Sequence, residues 1–210
     1  MTTFTRALGA GALVLTLALA GCTATGGQDP APGHGAHGAS TAPSPGSSGA
    51  PTPANPSAGA PAPADTMFVT MMIPHHRQAI EMADVLLGKD GVDPRVITLA
   101  QAVKAAQQPE IDRMREWLAD WGVEEPSDSG GMDHGSGMMT EADMTALASA
   151  QGAEAGRLFL EQMIRHHEGA VGMAQEALEG ARIPEVRALA AQVIEDQTAE
   201  IAEMQGLLTE

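Results

Sequence analysis

Four histidines stand in two adjacent pairs, His75-His76 and His166-His167, and each pair follows a methionine at the same distance, Met72 and Met163. On a helix that methionine lies one turn before both rings, at i−3 and i−4, so its thioether reaches either imidazole. Imidazole suits copper, zinc, iron and nickel, whereas thioether sulfur selects soft Cu(I). Neighbouring histidines diverge by about 100° around a helix. One ring of a pair can therefore face a bundle axis while the other faces a neighbouring helix or solvent. Carboxylate-bridged iron in helical bundles uses Glu-x2-His. Here methionine stands three residues before the first histidine in both copies, which favours copper over a di-iron centre. A single histidine pair, or methionine at helical spacing, is ordinary core. Two matched copies, with 13 Met against 3 Phe, 2 Trp and no Tyr, tip the reading toward metal.

A second set of donors repeats downstream, as Gln107-x2-Glu110-Ile111-x2-Met114 and Gln197-x2-Glu200-Ile201-x2-Met204. A hairpin turning near residues 91–92 puts Gln107, Gln108, Glu110 and Met114 level with Met72, His75 and His76. The other copy offers Glu168, Gln197, Glu200 and Met204 around Met163, His166 and His167. Met82 and Met173 extend the same stripes. A third cluster, Met132, His134, Met138 and Met139, lies in the Gly-rich stretch between the copies. Exposed thioethers gain nothing from water. A flexible Cu(I) or Ag(I) capture loop would use them; the alternative is a linker that docks on the bundle.

The elements that position these groups follow from the repeat. Phe68-x3-Met72-Ile73-x-His75-His76 matches Phe159-x3-Met163-Ile164-x-His166-His167, and the match resumes at Pro94-x-Val96-x2-Leu99 and Pro184-x-Val186-x2-Leu189. Phe68, Met72, His75, Ala79, Met82 and Leu86 form a helical stripe. Gly88 and Gly91 bracket a break, and Asp93-Pro94 supplies an N-cap followed by Pro at N1. Gly180 and Pro184 do the same in the other copy, and Thr140-x2-Asp143 caps a short extra helix at about 141–150. Pro74 and Pro109 fall inside helices, where each removes a hydrogen bond and usually kinks the helix. No segment alternates at period two. Two helical hairpins, each burying one stripe, predict an all-α four-helix bundle. Its expected parts are repeat 1 at 65–121, a Met/His loop at 122–140 and repeat 2 at 141–210.

Residues 1–21 read as an export leader: Arg6, then an apolar run from Ala7 to Ala20 that is too short to span a bilayer. It ends in Leu19-Ala20-Gly21-Cys22, which resembles the bacterial lipobox, with Cys22 as the lipidated residue. Residues 22–64 are rich in Gly, Pro, Ala, Ser and Thr, a tether that cannot bury enough apolar surface to fold. His34 and His37 sit in it, either as incidental polar residues or as a weak metal-capture site. The lone cysteine excludes an intrachain disulfide and any Cys-based zinc or iron–sulfur site. A formal charge of −16 excludes a basic nucleic-acid face and a polybasic lipid patch. No Ser/His/Asp arrangement or phosphate loop supports hydrolysis or phosphoryl transfer.

The paired Met72-Ile73-Pro74-His75-His76 and Met163-Ile164-Arg165-His166-His167, with Gln-x2-Glu-Ile-x2-Met downstream, resemble the DUF305 family of bacterial exported proteins. The resemblance covers about 65–210 and implies a ferritin-like four-helix fold and a copper context. It does not single out which His or Met binds. The expected function is an extracytoplasmic copper-binding lipoprotein without enzymatic activity. It would sit on the outer face of a bacterial membrane and buffer copper, sequester it or pass it to a partner protein. One alternative is a metal-dependent oxidase using iron with Glu110, Glu168 and Glu200. The other is a structural envelope protein without metal.

Overall fold

The computed structural model describes residues 60–125 and 137–209. The leader, Cys22, His34, His37, the tether up to residue 59, Met132 and His134 lie outside the described residues. Among the described residues five helices follow in order: α1 (Pro63–Leu87), α2 (Pro94–Trp121), α3 (Glu141–Ser149), α4 (Gly152–Gly180) and α5 (Pro184–Leu208). No described residue is in a strand. The long helices form the expected bundle of two hairpins, α1–α2 and α4–α5.

Local chemistry explains the boundaries. Asp93 accepts a hydrogen bond from the Arg95 amide at 2.8 Å, and Pro94 opens α2. Thr140 and Asp143 cap α3 reciprocally, at 3.0 and 3.1 Å. Both α1 and α2 continue through Pro74 and Pro109. The folded domain starts two residues before the expected Asp65. Pro61-Ala62-Pro63-Ala64 has the composition of the tether, but Pro63 occupies the first turn, where a missing N–H costs nothing.

Asp65 does more than start a helix. Its fully buried carboxylate accepts from the Ala62 amide at 2.7 Å, and from the Arg182 and Ile183 amides at 3.0 Å each. The start of α1 is thereby tied to the α4–α5 turn. Asp65→Ala leaves those donors unsatisfied and should cost about 3 kcal/mol. Thermal melting should fall by about 10 °C, a loss that differential scanning calorimetry would read directly.

Helices α1 and α4 run antiparallel along a shared seam. Gly180, at the end of α4, lies so near the start of α1 that an added Cβ would come within 2.8 Å of the Ala64 Cβ. At the opposite end the α1–α2 turn meets the start of α4, where Val92 packs on Gly156. The core falls into two apolar clusters. One holds Phe68, Ile73, Ile111, Leu118 and Val193, at the α1 start. The other holds Leu86, Leu99, Phe159, Leu160 and Leu147, at the α4 start, with α3 packed on it. Both paired histidines of each copy lie between the two clusters in sequence, at the middle of α1 and of α4.

Candidate metal centre

All four paired histidines are buried, His75 at 1% exposure and His76, His166 and His167 at 0%. None faces solvent, although a 100° step between neighbours allowed it. The inner members meet across the α1–α4 seam: the His75 and His166 ring centroids lie 3.7 Å apart, tilted by 38°. The outer members turn toward their own hairpin partners. His76 Nε2 donates to Glu110 of α2 at 2.7 Å, and His167 Nε2 donates to Glu200 of α5 at 2.6 Å. The two halves thus repeat one arrangement around the contact of the inner rings.

Hydrogen-bond chemistry sets the tautomers. A carboxylate only accepts, so Nε2 of His76 and of His167 carries the hydrogen and Nδ1 keeps the lone pair. Those Nδ1 atoms are buried and have no hydrogen-bond partner among the described residues. At His166 neither ring nitrogen makes a hydrogen bond of ordinary geometry, the His75 backbone being close enough only for a minor interaction, and the buried Oε1 atoms of Gln107 and Gln197 also lack a donor. Such orphaned acceptors each cost free energy unless something else satisfies them. Burial, above all, and the charges that His75, His167 and His76 would carry hold the His166 pKa well below its usual 6.5. The ring therefore stays neutral at neutral pH, its lone pair available to a cation.

Sulfur flanks this layer on both sides. Met72 and Met114 are fully buried in one apolar cluster, Met163 and Met204 in the other. Glu110 and Glu200 keep 13% and 20% of their side chains exposed, so each carboxylate links the buried rings to the surface. The remaining candidates lie elsewhere. Met82 is core next to α3, Met173 lines a surface pocket, and Glu168 is exposed. Among the described residues no three His, Cys, Asp or Glu side chains gather around one metal-sized point. Neither the carboxylate cage that the oxidase reading uses nor a three-histidine site is preformed among them.

The connector between the hairpins touches down at this level. Gln78, two residues after His76, donates to the Met139 carbonyl at 2.8 Å and accepts from its amide at 2.6 Å. Arg165, next to His166, places its guanidinium 3.5 Å from the Met139 sulfur. Gly137, at φ 78°, sits on the α4 backbone, where a Cβ would run into the Arg165 carbonyl and Gly169. Met139 is buried and Met138 half-buried. Gln78 carried no signal in the sequence, because its partner lies 61 residues away.

The family model for a domain of unknown function (DUF305) matches residues 65–208. Among solved structures, a DUF305 fragment from Deinococcus radiodurans is 35% identical, covering 70% of this chain and 96% of its own, at a TM-score of 0.64. A DUF305 protein from Streptomyces coelicolor, described as a candidate secreted protein, is 33% identical, covering 70% and 91%, at a TM-score of 0.63. CopM in its Cu(II)-bound form is 35% identical, covering 69% and 95%, at a TM-score of 0.61. CopM has also been solved with Cu(I) and with Ag bound. No curated protein matches the chain.

Proposed function

Because the chain belongs to the DUF305 family, we propose that it binds copper in the histidine layer between its two apolar cores, as a non-enzymatic buffer or donor of the ion. The observation that carries this reading is the buried His75–His166 contact, with two His–Glu arms and orphaned ring nitrogens. The similarity to CopM, solved with Cu(I) and Cu(II), supports the choice of metal.

The geometry favours one shared centre over two. His75 and His166 come from different copies and already touch. The two rings meet at a tilt of 38°, so loading would turn them until lone pairs point inward. The buried, apolar surroundings favour Cu(I), because a single positive charge costs less to desolvate than a double one. Glu110 and Glu200 orient the outer rings through Nε2. Residues 1–22 support export and anchoring at Cys22, which would place this centre outside the cytoplasmic membrane.

The test is an anaerobic Cu(I) titration against a chromogenic chelator. Wild-type protein should compete for the ion, and a variant with His75, His76, His166 and His167 changed to Ala should compete far more weakly. Equal competition would move the metal to the methionines, and no competition by either would end the copper reading. Glu110→Gln and Glu200→Gln should each weaken Cu(I) binding by about 10–100-fold, with the circular dichroism of the helices unchanged.

A further inference from the structure

The α1–α4 seam has two ends that the internal duplication makes equivalent, yet among the described residues only one is covered. At the α4 start, α3 closes it: Gln162 donates to the Asp143 carbonyl at 3.0 Å, and Leu147 is fully buried there. The equivalent place at the α1 start holds a pocket of ≈ 50 Å³ lined by Met67, Phe68, Met71, Met173 and Glu176, among others. That volume suits a single ion and is far below the ~300 Å³ of a small-molecule site. Met67 is 60% exposed, the one large hydrophobic side chain so exposed among the described residues.

The residue types matter as much as the opening. The repeat aligns Met67 with Leu158, Met71 with Gln162, and Met173 with Met82. At the covered end leucine and glutamine serve packing and the contact with α3. At the open end both positions are methionine, and the aligned methionine of α4 joins them. Packing does not require sulfur at an exposed position, where leucine fills the same space. Three thioethers with one carboxylate at the rim are a soft-cation donor set.

We propose that this pocket is a separate surface site for one monovalent soft ion, Cu(I) or Ag(I), held by the thioethers of Met67, Met71 and Met173. Glu176 supplies negative charge at its mouth. The site does not include the histidine layer, which begins about 12 Å along α1 beyond Met67 and about 6 Å beyond Met71. Thioethers do not titrate, so the site keeps its ion in acid, where protons compete for imidazole. Zinc and Cu(II), which prefer nitrogen and oxygen, are not retained there.

The test uses the protein labelled with 13C at the methionine methyl groups, titrated with silver nitrate at pH 5 in chloride-free buffer. Single Met→Leu variants assign the resonances. The Met67, Met71 and Met173 methyl signals should shift together at the first equivalent. The variant M67L/M71L/M173L should retain one fewer Ag(I) per chain at pH 5, while its histidine-dependent binding at pH 7 persists. A variant with all four paired histidines changed to Ala should show the same three shifts. Unmoved signals for these three methyl groups, or undiminished acid-stable binding by the triple variant, would overturn the proposal. Either result leaves the histidine layer to be judged from the pH 7 data alone.

Discussion

His166→Leu is expected to make the metal-free protein more stable and its copper binding worse. The native ring is fully buried, and neither nitrogen makes a hydrogen bond of ordinary geometry among the described residues. Leucine has a similar volume and no polar atom to desolvate. Removing an unsatisfied polar group of this kind is worth about 1–3 kcal/mol. Melting of the metal-free variant should rise by about 4–10 °C. Cu(I) affinity should fall by at least about 100-fold, which is ~2.7 kcal/mol of binding free energy. Calorimetry and chelator competition on the same preparation would read both effects. The opposite pair of results, lower melting with unchanged copper affinity, would make His166 a structural residue. A site that trades stability for a ligand is the physical signature of function.

Acid should act on the same layer with a definite sign. The His166 pKa is lowered in the folded protein, first by burial and then by its histidine neighbours, whereas the unfolded chain takes up that proton near the usual 6.5. Between the lowered pKa and 6.5 the unfolded state binds more protons than the folded one. Stability of the metal-free protein therefore increases with pH across that window and is lost progressively as pH falls below 6.5. The slope contributed by one such group is about 1.4 kcal/mol per pH unit. Urea unfolding at pH 7.0, 6.0 and 5.0 should show this loss, and His166→Leu should remove it. The same slope in the variant would assign it to other groups. Copper bound through neutral imidazoles should also be released on acidification, since protons compete for the same lone pairs.

The sequence carried much of this because duplication turns one chain into two observations. Helix stripes, the Asp93-Pro94 and Thr140–Asp143 caps, and the level pairing of His76 with Glu110 all follow from local spacing. The seam between the copies did not. That the His75 ring meets the His166 ring depends on how α1 crosses α4, and no spacing within either repeat encodes it. Met82 and Met173 are equivalent in sequence but not in place: Met82 is fully buried in the core cluster that Leu147 of α3 joins, whereas Met173 lines a surface pocket. Glu168 follows His167 directly, so one helical step of about 100° carries it to the surface. The Asp65 contact spans 117 and 118 residues and offers no local pattern to read.

The most direct measurement is anomalous diffraction at the copper edge from crystals of the protein loaded anaerobically with Cu(I). The account predicts a strong peak between the rings of His75 and His166, with His76, His167 and a buried methionine sulfur near it. A peak only at the surface methionines, with the inner ring centroids still 3.7 Å apart, would contradict it.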